Sequence, residues 1–225
     1  MTKSSPPPSS LNKLANGTIE LTLVIPWSEI QKAYEKEVGE AVANAEIQGF
    51  RKGKAPRSMV EPKLDKSHLY SHAVQNLLPE AYASAVKNNN LKPILYPQIK
   101  IIKGQENADW EFLATTCEAP SVTLPDKLSP DLNILRQKSQ VKVPDLLVEE
   151  EANHRLASLA ENITKLGLTT EQYLTSKKLT PISLKSQISQ SSRVDLETEF
   201  ILLHIQNAQK IPDRKSTLDF LHKLV

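Results

Sequence analysis

The stretch Gly49-Phe50-Arg51-Lys52-Gly53-Lys54-Ala55-Pro56-Arg57 sets one large apolar side chain among four cations, with a glycine on either side of the Phe-Arg-Lys triplet. Upstream, Ile30, Tyr34, Val38, Ala41 and Ala45 recur at the spacing of one helix face, and the pattern stops at Gln48-Gly49. Downstream, Pro56 suits the first position of a second helix, reaching about Leu64. The stretch is therefore predicted to project as a loop between two helices. Glycines at 49 and 53 let the backbone turn tightly, which would push Phe50 outward. Spacing alone is equally compatible with a solvated basic turn whose ring folds back into the core. If Phe50 is exposed, the mixture is that of an interface anchor, since aromatics and arginine dominate such contacts. The cations would suit phosphates or carboxylates.

Working outward from this loop, residues 1–15 are Ser/Pro-rich and read as a disordered tail. Thr18 to Ile25 alternates apolar and polar positions, the signature of a half-buried strand ended by Pro26. Ser28 with Gln31 has the form of a capping box opening the first helix. A long helix is predicted over 67–87, with Val74, Leu77, Leu78, Ala81, Tyr82 and Ala85 as its stripe. Strands at 98–103 and 110–119 flank a turn at Gly104 to Asn107. This pattern makes residues 16–124 an α+β domain with a small antiparallel sheet and long helices. Pro120, Pro125, Pro130 and Pro144 then mark 125–142 as an extended linker.

Residues 143–225 read as all-α. Val148, Ala152, Leu156, Leu159, Ile163 and Leu166 form a stripe closed by Gly167. Glu149, Glu150 and Glu151 fall in that helix's expected first turn, as a solvated acidic face. A short helix follows near 171–176. Thr180-Pro181 opens a long one to Gln209, whose buried side is expected at Phe200, Ile201, Leu203, Ile205 and Ala208. Ser216 would cap a last helix. The fold class is α+β followed by a helical region.

Composition removes several classes. Six glycines in 225 residues leave little material for glycine-rich nucleotide loops or propellers, and a net charge of +2 supplies no global field for nucleic acid. The single cysteine, Cys117, excludes an internal disulfide and fits a reducing compartment. No stretch approaches the roughly 20 apolar residues of a membrane helix, and the N-terminus has no secretory pattern, so a soluble cytoplasmic protein is expected.

Other chemistry is thin. Gly49 to Lys54 is one residue short of a Walker loop and has Ala55 where Ser or Thr is needed. His68 and His72 lie four apart but lack the adjacent Glu and a third ligand, so no metal is expected. Cys117 reads as a core residue. No nucleophile, base and oxyanion hole assemble, so no enzyme activity and no cofactor are expected.

Gly49-Phe50-Arg51-Lys52-Gly53-Lys54-x-Pro56, in its setting of an alternating strand, a helix carrying Tyr34 and a long helix with Ala81-Tyr82 ahead of Leu91-Lys92-Pro93, resembles the ribosome-binding signature of the bacterial trigger factors. A second resemblance, from Pro144 through Leu166-Gly167-Leu168, Tyr173-Leu174 and Phe200 to Ile205, is to the opening of that family's helical C-terminal domain. The family normally carries a prolyl-isomerase domain between the two, and its helical domain continues beyond the equivalent of Val225. The chain thus resembles a shortened trigger factor without the isomerase domain. The resemblance implies a chaperone that docks on a large-subunit protein and rRNA of the ribosome through Phe50, Arg51 and Lys52, with Gly49, Gly53, Lys54 and Pro56 shaping the loop. It would shield apolar segments of nascent chains, assisting folding and transport. A prolyl isomerase, a general RNA-binding module using the same loop, and a homodimer covering its own stripes are the competing expectations.

Overall fold

The computed structural model describes residues 10–224. The first nine residues of the expected tail lie outside them. Where it is described, the tail expectation is corrected: Ser10–Lys13 form strand β1. Its side chains are all exposed, so the strand is recruited by backbone pairing with β2 (Thr18–Ile25), which satisfies N–H and C=O groups whatever the side chains are. Asn12 adds a hydrogen bond to Glu20 at 3.0 Å.

The described residues divide into two compact units. The first holds residues 10–12, 20–92 and 96–115. Its sheet runs in the order β1-β2-β4-β3, with β3 (Gln98–Lys103) antiparallel to β4 (Trp110–Cys117). Alternate side chains of β2 and β4, among them Leu21, Leu23, Ile25, Phe112 and Ala114, are buried, as the period-2 pattern requires. Helix α1 (Trp27–Asn44) packs on α3 (Lys66–Asn88), with α2 (Arg57–Val60) between them in sequence. Tyr34, Val38, Leu69 and Ala73 form the core of that contact, and the Tyr34 and Tyr70 rings stack at 4.3 Å.

The expected Ser28 capping box is corrected. Helix α1 starts one residue earlier, after Pro26, and the Trp27 N–H donates to Asp109 Oδ1 at 2.8 Å. A carboxylate from a distant loop thus takes the first N–H of the helix, and Pro26 at the N-cap supplies no side-chain bond. Helix α3 is capped by Asp65, whose side chain accepts from the N–H groups of Ser67 and His68.

The second unit holds residues 13–19, 93–95 and 116–224. Its elements are β5 (Val122–Thr123), α4 (Leu132–Lys138), β6 (Gln140–Val141), α5 (Asp145–Lys165), α6 (Thr170–Lys177), α7 (Pro181–Gln209) and α8 (Arg214–His222). Thus 125–142 is not an extended linker. It contains α4 and β6, β6 pairs antiparallel with β5, and Leu135 is fully buried against Ile201, Leu202, Ile205 and Leu221. Leu132 and Leu135 lie one turn apart on α4, and with Leu128 from the preceding loop they pack on that cluster despite the prolines around them. The first unit accordingly ends at residue 115, not at 124.

Helix α5 starts at Asp145, so Glu149 to Glu151 sit beyond its first turn, and Glu151 pairs with Arg155 at 2.6 Å. Gly167 closes α5 as expected, donating to Thr164 O. Leu166 instead projects, 76% exposed. Thr180 caps α7 with Ser183 in a reciprocal pair. On α7, Ile201 and Ile205 are buried as expected, whereas Leu203 and Ala208 are exposed and Leu202 takes a core place. The last helix is capped by Asp213, not Ser216, because the Asp213 carboxylate accepts the Ser216 N–H at 2.8 Å.

Candidate functional site

The loop is a backbone construction. Helix α1 ends at Asn44, and two turns follow. Phe50 N–H donates to Ile47 O at 3.0 Å and Lys54 N–H to Arg51 O at 2.9 Å. The third residue of each turn is a glycine with positive φ, Gly49 at 90° and Gly53 at 69°, the conformation a type II turn demands. A third bond, Gly53 N–H to Ala45 O at 3.0 Å, ties the second turn to the end of α1. A side chain at Gly53 would overlap the Ala43 carbonyl oxygen, whereas Gly49 faces open space. Ala55 and Val60 are buried and anchor the return of the chain into α2.

Phe50 is 42% exposed, so the ring is not enclosed by its own unit. Arg51, Lys52, Lys54 and Pro56 are exposed, and Gly53 is half-buried. The cations differ in their partners. Lys52 lies 3.6 Å from Glu46, a solvent-exposed pair of little energetic weight. Arg57 is held by Glu61 at 2.7 Å and Glu35 at 2.8 Å. Hydrogen bonds that it donates to Glu61 and then to Glu35 keep its guanidinium protonated well above its ordinary value, and Arg57 in turn lowers the Glu61 carboxyl. Among the described residues, Arg51 and Lys54 have no ion-pair partner. The loop thus presents an aromatic ring beside two uncommitted cations, while Arg57 braces its base. Such a surface can bury one apolar side chain and neutralise nearby anions.

Met59, on the exposed side of α2 and itself 44% exposed, adds apolar surface that the sequence reading passed over. The signal was Val60 as the inward residue, which leaves its neighbour facing out.

The remaining candidates do not form a site. His68 and His72 are exposed, with ring centroids 4.4 Å apart. Among the described residues no group of three metal-ligating side chains occurs. Cys117 is fully buried beside Val143, Leu147 and Val148, and burial pushes its thiol up to about 11. Among the described residues no helix is long and apolar enough to cross a membrane.

The family model described as "Bacterial trigger factor protein (TF)" matches residues 9–159, and that for the trigger factor C-terminus matches 131–213. The trigger factor of Staphylococcus epidermidis is 31% identical over 145 residues, 64% of this chain and 33% of the relative. That of Staphylococcus aureus is 30% identical over the same length. The chain therefore spans about a third of the curated relatives it matches. A solved structure reported as "Promiscuous Substrate Recognition in Folding and Assembly Activities of the Trigger Factor Chaperone" aligns with a TM-score of 0.39 at 22% identity, covering 68% of this chain and 35% of that one.

Proposed function

Because the chain belongs to the bacterial trigger factor family, we propose that it is a cytoplasmic, ribosome-associated chaperone that shields apolar segments of newly made proteins and assists their folding and transport. Docking runs through the loop. Phe50 enters an apolar pocket on a large-subunit protein, and Arg51 and Lys52 meet rRNA phosphates or acidic side chains. Gly49, Gly53, Lys54 and Pro56 hold the loop in shape. The observation that carries this reading is the exposed Phe50 ring beside the uncommitted Arg51, on a loop pinned by its own backbone bonds. A contact built on one short loop buries modest area and reverses readily, which suits a chaperone that must leave as the chain lengthens.

Prolyl isomerisation is not part of the proposal. The N- and C-terminal family matches overlap over 131–159, which supports the reading that no isomerase domain lies between them.

Co-sedimentation with ribosomes tests the docking. The wild type is expected to pellet, and the triple variant Phe50→Ala, Arg51→Ala, Lys52→Ala to remain in the supernatant. Equal pelleting of both ends the ribosome claim. Comparable, salt-dependent binding to unrelated RNA would turn the loop into a general RNA contact.

A further inference from the structure

The loop and its exit carry four cations in seven residues, Arg51, Lys52, Lys54 and Arg57. The fold does not leave them all free. Glu46 lies 3.6 Å from Lys52, while Glu35 and Glu61 lie 2.8 Å and 2.7 Å from Arg57. Four positive and three negative groups leave a local charge of +1 where the sequence reads +4.

The two sets of pairs differ in kind. The Lys52 and Glu46 side chains are 61% and 76% exposed, so water and salt screen the pair and Lys52 can exchange it for another anion. Arg57 is held by a fork. Its Nε donates to Glu61 Oε2 at 2.7 Å and its Nη2 to Glu61 Oε1 at 3.4 Å, and Nη2 also lies 2.8 Å from Glu35 Oε2. A bidentate guanidinium within a network of three charges is the kind of surface pairing that holds. One positive charge there faces two negative ones. Lys66 adds a coulombic pull on Glu61.

Without these carboxylates the loop would have the make-up of a single-strand nucleic-acid site. Such sites combine an exposed aromatic ring, on which a base stacks, with cations that follow the phosphates. Phe50 is the ring, and among the described residues Arg51 and Lys54 have no ion-pair partner. Arg57, at the start of α2 and three residues beyond Lys54, would be the next cation along a strand.

We infer that Glu35 and Glu61 are specificity determinants that withhold Arg57 from phosphates, so that the loop grips too few of them to hold RNA that offers no pocket for Phe50. The inference rests on the docking reading above and adds how the loop rejects other RNA. A surface that accepts the ring tolerates the missing cation, because apolar contact supplies affinity there. Free RNA lacks that pocket, and for it the missing cation is a loss. Selectivity then comes from rejection as well as from fit.

The test uses the full chain and a fluorescein-labelled oligouridylate, read by anisotropy over a series of salt concentrations. Glu35→Gln with Glu61→Gln removes both carboxylates from partly exposed positions, and circular dichroism confirms that the fold is kept. The double variant is expected to bind about tenfold more tightly than the wild type. Its logarithmic salt slope should steepen by about 0.7, as one more phosphate contact on a single strand requires. Adding Arg57→Gln should return both readings to near the wild-type values. Glu149→Gln with Glu150→Gln makes the same change in net charge at exposed positions of α5, and should leave both readings as in the wild type.

Equal or weaker RNA binding by the double variant overturns the inference, and in that case Arg57 only braces the loop. So does a rise that survives Arg57→Gln, which would trace it to Lys66, or an equal rise in the α5 variant, which would trace it to net charge. Ribosome pelleting separates the two levels. If the wild type pellets, and the double variant binds RNA no better than it does, the assignment of Glu35 and Glu61 falls and the docking reading stands. If the wild type does not pellet at all, both fall.

Discussion

Residues 49–56 and 125–142 are both short stretches punctuated by glycine or proline between regular elements, and they end in opposite places. The first projects with Phe50 exposed, and the second buries Leu135 completely. Proline and glycine content does not separate them. What does is the number of apolar side chains at a usable spacing. Leu135 is fully buried against Ile201, Ile205 and Leu221, with Leu128 and Leu132 partly buried on the same cluster, and fully burying one leucine contributes about 1.5–3 kcal/mol. Phe50 has no such companions on its loop. There the shape comes from three backbone hydrogen bonds and two positive-φ glycines. One segment is held by side chains and the other by its backbone, so the two should respond to substitution in opposite ways.

The largest effect is expected at Leu135. Leu135→Ala leaves a cavity among Ile201, Leu202 and Leu221 and should cost about 2–5 kcal/mol in urea unfolding followed by circular dichroism. A cost below about 1 kcal/mol would mean that 125–142 is a strap lying on the unit, and the contrast would be lost.

Next comes Gly53→Ala. It forces a side chain into a positive φ and against the Ala43 carbonyl, with a cost on the order of 1–3 kcal/mol. Ribosome pelleting should fall although no contacting side chain has changed. Full retention of both stability and pelleting would show that the backbone does not set the loop.

A smaller, pH-dependent effect attaches to Cys117 in the second unit. Its thiol ordinarily ionises at 9.0 and burial pushes this up to about 11. The native state keeps a proton that the unfolded chain releases. The contribution to stability is therefore complete below pH 9 and is lost as pH rises from 9 towards 11. Ellman's reagent should leave the native thiol untouched at pH 8 and modify it after unfolding. Rapid native modification would place Cys117 at the surface.

The smallest stability change is expected for Phe50→Ala, below about 1 kcal/mol, because Phe50 is an exposed loop residue. Ribosome binding should nevertheless drop sharply. A large destabilisation would make Phe50 a packing residue and erase the difference between the two segments.

Much of the architecture was legible before any coordinates. The alternation of β2, the stripes of α1 and α5, the Thr180-Pro181 start of α7 and the turn demands at Gly49 and Gly53 are all local patterns. The failures have physical causes. Helix α1 begins at Trp27, whose N–H goes to Asp109, 82 residues away, so a serine that looked like a cap lies inside the helix and has no such role. Strand β1 is held by pairing, which polar residues such as Ser10 and Asn12 do not announce. Leu202 displaced Leu203 from the core because a long helix meets different partners along its length, and its stripe turns accordingly.

The sequence by itself determined the strongly patterned elements: where β2 alternates, where α1, α3, α5 and α7 run, and where the chain must turn through positive φ at Gly49 and Gly53. Those outcomes depend on neighbours within a few residues. Tertiary structure alone decided which surfaces stay uncovered: the Phe50 ring, and conversely the burial of Leu135. Exposure depends on whether another surface arrives to cover a residue, and the groups that would do so lie tens of residues away along the chain.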